Sequence, residues 1–226
     1  MRGCFVTGTD TGVGKTVLAA AIVAALRATG ATVRVRKPLI TGLEDIPDPD
    51  WPHDHQLLAS AAGCRADEVA VRTFGPAVSP HLALELAGEG LDLEELAGTV
   101  RAAGSGADAL IVEGVGGLLV PLDWQCSVRD LARELTLPLV IAARPGLGTI
   151  NHTLLTLEAA RAASLPVAGV ALTPWPATPG VIERSNLATI ERLGEVSVAT
   201  LPWIPSATPE LLAGAGAGLP LDEWLV

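Results

Sequence analysis

The nonamer Gly8-Thr9-Asp10-Thr11-Gly12-Val13-Gly14-Lys15-Thr16 constrains this chain more than any other stretch. It follows a short apolar run, Cys4-Phe5-Val6, and leads directly into an Ala- and Val-rich segment from Val17 to Leu26. A strand, a glycine-rich turn and a helix start therefore fall in the order of a phosphate-binding loop. In such a turn, successive backbone N–H groups point at phosphate oxygens and the helix N-terminus adds partial positive charge. Lys15 would reach the terminal phosphates, and the Thr16 hydroxyl would sit on a magnesium ion. The spacing departs from the strict pattern: the position five before Gly14 is Thr9, and the available Gly8 is six before it. The plain alternative is an ordinary strand–turn–helix without a ligand.

The rest of the chain alternates in the same way. Strand-like runs fall at Arg2–Thr7, Thr32–Ile40, Ala107–Glu113, Leu137–Ala142, Val167–Leu172 and Val196–Leu201. Helical patterns fill the gaps at Thr16–Ala28, Asp54–Ala62, Leu93–Ala103, Val128–Leu135, Thr149–Ala163 and Gly180–Leu193. Several strands are continuous apolar runs, as parallel strands covered on both faces are. The pattern predicts an α/β fold with a mostly parallel central sheet, helices on both faces, and one domain over residues 1–226. In such sheets ligands bind beyond the carboxyl ends of the strands, so functional residues should follow each strand. Gly42–Pro52, with Pro47, Pro49 and Pro52, reads as a surface loop, and Ala213–Gly218 as a poorly ordered Gly/Ala tail.

Composition excludes some functions. A formal net charge of −10 argues against a nucleic-acid surface, which needs clustered Lys and Arg. Cys4, Cys64 and Cys126 show no metal spacing and read as free thiols. The start of the chain carries no signal-peptide pattern, and Val17–Leu26 is too short to span a bilayer. A cytoplasmic protein with no membrane partner is expected.

Several strand ends carry polar residues. Lys37, in Lys37-Pro38-Leu39-Ile40-Thr41-Gly42, is costly to bury unless an anion neutralises it. It reads either as a cation over a reacting phosphoryl group or as a lysine snorkelling from an edge strand. Asp54, taken by itself, reads as a helix N-cap, and the flanking His53 and His55 as solvated loop residues. Glu113 closes the apolar run Ala109-Leu110-Ile111-Val112 and precedes Gly114-Val115-Gly116-Gly117; it reads as a magnesium-ordering carboxylate in preference to part of a structural turn. Gly146-Leu147-Gly148-Thr149-Ile150-Asn151-His152 opens another helix with exposed N–H groups, with Thr149 a candidate cap. Ser79-Pro80-His81 opens one too, and His81 by itself reads as structural.

Together these motifs resemble the dethiobiotin synthetase family, over nearly the whole chain. The resemblance rests on the nonamer, Lys37-Pro38 with Thr41-Gly42, Asp54, Ser79-Pro80-His81, Val112 to Gly117, Gly148 to His152, and Leu201-Pro202-Trp203. The family's loop shares the longer glycine spacing, so the departure becomes supporting. The resemblance implies a P-loop NTPase-type fold and an NTP-dependent cyclo-ligase of biotin biosynthesis. In that chemistry CO2 adds to one amine of 7,8-diaminononanoate, ATP activates the carbamate as a carbamic–phosphoric anhydride, and the second amine closes the ring. It further implies Thr16, Asp54 and Glu113 as Mg²⁺ ligands, and Lys15 and Lys37 as catalytic cations. The nucleotide would be held by Thr11, Gly12, Val13, Gly14, Lys15, Thr16 and Val17 at the phosphates. Asp54, Glu113, Gly114, Val115, Gly116, Thr173, Pro174, Pro202, Trp203 and Ile204 complete that set. Thr41, Gly148, Thr149 and Asn151 would hold the substrate, with the tail pocket at a homodimer interface.

Two departures stand out. Many members carry Glu at the position of Gly12, and Thr173 stands where an Asn reads the adenine edge. Thr lacks the paired amide donor and acceptor, which predicts relaxed base selectivity, with CTP or other triphosphates serving beside ATP. The competing readings are a partition- or cell-division-type nucleotide switch, an amidating synthetase and a small-molecule kinase. The switch is disfavoured because Asp10 stands where those proteins carry an early loop Lys, and because the C-terminus is not a basic amphipathic segment.

Overall fold

The computed structural model describes residues 2–47 and 51–225. Seven strands form one sheet in the order β3-β2-β4-β1-β5-β6-β7, and every registered pair is parallel. They are β1 Arg2–Gly8, β2 Val33–Ile40, β3 Ala70–Thr73, β4 Ala109–Glu113, β5 Leu139–Ala143, β6 Val167–Trp175 and β7 Val198–Pro202. Every residue of β4 and β5 is buried, which is why those runs are apolar without alternation.

Helices cover both faces. On one face α1 (Lys15–Ala28), α2 (Asp54–Ala62), α8 (Pro209–Gly216) and α9 (Leu221–Trp224) pack on Cys4, Val6, Val35 and Ile111. On the other, α3 (Pro80–Ala87), α4 (Leu93–Ala103), α5 (Val128–Leu135) and α6 (Thr149–Ala162) cover Phe5, Leu110, Val112 and Leu139. There α6 and α7 (Val181–Gly194) also enclose Ile141, Val170 and Leu172. The chain runs from β1 to β2 on one side, and from β4 to β5 on the other. The crossover direction therefore reverses around β1 and β4, where an open α/β sheet leaves a crevice at its carboxyl edge.

Two regions differ from the sequence reading. Strand β3 was not anticipated: it is four residues long, half-exposed and at the sheet edge, so it carries no period-2 signal. The Gly/Ala tail is helix α8, entered through Pro209 with Thr208 accepting from the Leu211 N–H, and it packs on α1. A Cβ at Gly216 would lie 2.2 Å from the Ala21 carbonyl oxygen, so the small residues are the contact surface itself. Beyond it, Trp224 is fully buried and Arg2 ties the end down through Asp222 and the Leu225 carbonyl. In the predicted surface loop, Gly42–Pro47 is irregular as expected, whereas Pro49 lies outside the described residues.

Candidate active site

The loop after β1 turns into α1 through Gly14, the helix N-cap, at φ +95°. A Cβ there would be strained and would sit 2.8 Å from Thr173 Cγ2, so only glycine lets the loop lie against the end of β6. Lys15 is buried under this turn and its Nζ donates to the Asp10 carbonyl at 2.8 Å. Burial pushes the Lys15 ammonium down to about 8, against the upward pull of Glu113. The loop is tied to the neighbouring strand end by Thr9 N–H to the Ala142 carbonyl, 3.0 Å.

Strand register assembles the charged centre. Val6 of β1 pairs with Glu113, and Arg36 of β2 pairs with Val112, which sets Lys37 beside Glu113. Lys37 Nζ donates to Glu113 Oε1 at 2.8 Å and also to Asp54 Oδ2. The Thr16 hydroxyl donates to the same Glu113 oxygen at 2.8 Å. Side chains from β2, β4, α1 and α2 thus meet at one point. Lys37 and Glu113 are buried, so the snorkelling reading of Lys37 is overturned. Burial would lower Lys37, but Glu113 and Asp54 hold it above the ordinary lysine range. Burial likewise works to raise Asp54, yet the Lys37 charge outweighs it and keeps that carboxyl low. Glu113, fully enclosed, is pushed up by burial, with Lys37 pulling against it.

The N-cap readings need correction. His53 occupies the cap of α2, and Asp54 is the first helical residue with its carboxylate turned to Lys37. At α6 the cap is Gly148, and Thr149 Oγ1 lies 3.4 Å from Thr153 Oγ1.

Two carboxylates and a hydroxyl are hard oxygen donors of the kind Mg²⁺ takes, completed by water and phosphate. Glu113 Oε2 is buried and has no hydrogen-bond partner among the described residues, so a cation at this corner would satisfy it. The two lysines and two carboxylates cancel in charge, so an incoming triphosphate needs further positive charge. The residues fit a magnesium ion.

A cavity of about 830 Å³ opens over this centre. Thr11, Gly12, Gly14, Lys15, Thr16 and Val17 line it on the side of the loop, with Lys37, Asp54, Glu113, Val115 and Gly116. Thr41 lies on its wall, with Ile40, Leu43 and Val78 providing apolar surface. Val13 instead points into the core. Gly114 packs against Phe5 and Val128. Gly148, Thr149 and Asn151 do not line this cavity; Asn151 is exposed at the start of α6. On the other flank of the loop, Thr173 is buried against Gly14, and Pro174 and Trp175 continue β6. Pro202 registers with Trp175, Trp203 is 67% exposed, and the Ile204 side chain enters the core.

Sequence reasoning missed Arg144, immediately after β5. Its Nη2 donates to the Gly12 carbonyl at 3.3 Å, bracing the loop from outside. No motif marks it; its place at a strand end was the available signal. His53 and Ser79 also line the cavity, although neither was given a role in it.

Comparison with known proteins agrees with this geometry. A family described as "AAA domain" matches residues 2–211. The ATP-dependent dethiobiotin synthetase BioD of Mycobacterium sp. (strain KMS) is 42% identical over 90% of this chain and 89% of that protein. That of Anaeromyxobacter sp. (strain K) is 40% identical over 91% and 92%, and that of Haloferax mediterranei 37% over 97% and 92%. Among solved structures, Cyanthece apo McdA superposes with a TM-score of 0.54 at 12% identity, covering 99% of this chain and 92% of that one. Cobyrinic acid a,c-diamide synthase from Mycobacterium smegmatis gives 0.53 at 18%, covering 95% and 91%. These two share the fold alone. With its parallel sheet, its phosphate loop and relatives at this identity over nearly its full length, the chain belongs to the dethiobiotin synthetase family.

Proposed function

We propose that this protein catalyses the NTP-dependent carboxylation and ring closure of 7,8-diaminononanoate to dethiobiotin. The observation that carries the reading is the buried Lys37 between Glu113 and Asp54, with Thr16 on the same carboxylate, directly beside the phosphate loop. No side chain in this cluster is a nucleophile to be consumed. The chemistry it suits is positioning and charge stabilisation, where aligned reactants gain roughly 7–11 kcal/mol.

Thr16, Asp54 and Glu113 would hold Mg²⁺, which would supply positive charge against the phosphates. The N–H groups of Gly12 to Val17 wrap the phosphates. Lys15 and Lys37 stabilise the carbamate and the transferring phosphoryl group. Thr41 hydrogen-bonds the substrate near its amines, and the apolar wall of Ile40, Leu43 and Val78 suits an aliphatic chain. Thr173, Pro174, Pro202, Trp203 and the Ile204 backbone form the base side, with selectivity among ATP, CTP and GTP relaxed by Thr173.

A homodimer completes the substrate pocket in this reading. Gly148, Thr149 and Asn151 sit away from their own cavity, so they can reach substrate only in a partner's. Leu147, 87% exposed, adjoins them in sequence, and Leu119 and Leu155, 57% and 56% exposed, line a cavity of about 400 Å³ together with His152. That apolar surface supports the assignment.

The test is the product. Purified protein given the diamine, bicarbonate, Mg²⁺ and ATP should yield dethiobiotin, detected by mass, with one ADP per ring formed. Diamine-independent ATP turnover without the cyclic urea would overturn the reading.

A further inference from the structure

Helix α3 begins unusually. Ser79 holds its N-cap position with extended backbone, yet its side chain caps no N–H of the helix. The Ser79 Oγ lies instead 3.0 Å from His81 Nδ1. Pro80 between them occupies the first turn and helps fix the angle. Ser79 and Pro80 line the cavity, on the wall contributed by the segment after β3. That strand is at the sheet edge, with β2 and β4 between it and the phosphate loop on β1.

The ring of His81 is held in turn. Trp124, from the segment before α5, meets it edge-on at 5.0 Å and 73°. The Trp124 Nε1–H donates to Glu85 Oε1 at 2.6 Å, which directs this nearby carboxylate to the indole. Asp123, next in that segment, accepts from the N–H groups of Gln125 and Cys126, each at 2.7 Å. Across the cavity, Lys15 and Lys37 are engaged with Asp10, Asp54 and Glu113. A serine hydroxyl at a cavity wall, given up as a cap and aligned on an imidazole, is arranged to take a proton.

We propose that Ser79 is a catalytic residue that accepts the proton lost from the ring-closing amine, with His81 as its positioning partner. This rests on the diamine-cyclising reading above. The amine nitrogen attacks the carbonyl carbon of the carbamic–phosphoric anhydride, and a C–N bond forms. The C–O bond to phosphorus breaks, and phosphate leaves with the electron pair. The N–H proton passes to Ser79 Oγ as the serine's own proton passes to His81 Nδ1. The half-buried imidazolium then releases a proton to water. The phosphates are gripped at β1, so the nitrogen on the β3 side of the reacting carbon is the one that faces Ser79.

The experiment compares Ser79→Ala, Ser79→Thr and His81→Gln with the unmodified protein, given diamine, bicarbonate and MgATP. Ser79→Ala and His81→Gln should lose about 10²–10³ in kcat, with nucleotide KM unchanged, while Ser79→Thr keeps the hydroxyl and recovers most of the rate. In His81→Gln the kcat–pH profile should change shape, because the group that receives the serine proton is gone. ADP released per dethiobiotin formed should rise, because the anhydride still forms and is lost to water. Variants that fold and bind ADP normally overturn the proposal if kcat stays within threefold of the unmodified protein. A fall in kcat with an unaltered pH profile and unaltered ADP:product ratio also overturns it. Failure of the unmodified protein to make dethiobiotin would instead strike the functional reading beneath it.

Discussion

The two flanks of the phosphate loop are built on opposite principles. The β4 side carries buried charge: Lys37 and Glu113 are 5% and 0% exposed, and each is held by partners from other elements. The β6 side carries a threonine, Thr173, pressed against Gly14 and an indole, Trp203, that is 67% exposed. The phosphate flank lies at the sheet centre, where a charge left unpaired costs several kcal/mol, so residue identity is tightly bound to geometry. The flank proposed for the base lies toward the β7 edge and offers backbone and apolar surface, which tolerate change. In the proposed reading one flank therefore sets the chemistry, and the other sets only which nucleotide delivers the phosphate.

Lys37→Gln breaks the first flank most directly. Gln keeps a donor for Glu113 and removes the charge needed at the reacting centre. Turnover should fall by about 10²–10³, while the ADP dissociation constant, read by calorimetry, stays within a few fold. Turnover near the unmodified rate would dissolve the contrast between the flanks. The fold should survive, because Asp54 is partly exposed and can rehydrate, and Glu113, already pushed up by burial, can take a proton.

Thr173 probes the second flank, with a smaller effect. Steady-state rates with ATP, CTP and GTP should agree within about tenfold, since no paired amide donor and acceptor stands at residue 173. Thr173→Asn should then widen the ATP:CTP ratio of kcat/KM by about 10–100-fold. It should leave kcat with saturating ATP largely intact. A strong ATP preference in the unmodified protein would show that the base is read elsewhere, by groups the β6–β7 edge does not reveal.

The contrast also explains what was legible. The phosphate flank could be read because burial on both strand faces writes β1 and β4 as apolar runs, and their ends are where polar residues stand out. The nonamer, Lys37 and Glu113 were found in that way, and Asp54 only through the family resemblance. Their pairing was not: Lys37 and Glu113 are 76 positions apart, and only strand order makes them neighbours. Asp54 as an N-cap was the better local reading, and tertiary attraction to Lys37 overrode it. Strand β3 and helix α8 were illegible for another reason. A short edge strand has no burial pattern, and alternating Gly and Ala looks like a chain breaker until Gly216 is seen against the Ala21 carbonyl.

Lys15 gives the smallest effect and the finest test, because it belongs to the phosphate flank yet has no carboxylate of its own. Its pKa in the folded protein, lowered to about 8 by burial, lies below the unfolded value. Between about pH 8 and 10.5 the unfolded chain binds a proton there that the folded chain does not, so this group's contribution to stability rises with pH. Below that window Lys15 is charged in both states, and the folded protein bears the cost of burying the charge. A bound phosphate repays it and draws the proton back. Nucleotide binding should therefore take up protons at pH 8.5 and none at pH 6, measured from calorimetric heats in buffers of different ionisation enthalpy. Affinity should weaken about fourfold between pH 7 and 8.5, the fraction of Lys15 that must be recharged. Lys15→Arg, which stays charged throughout, should abolish both the uptake and the weakening. If uptake persisted in Lys15→Arg, the titrating group would lie outside the loop, and the phosphate flank would owe its positive charge to Lys37 and the cation alone.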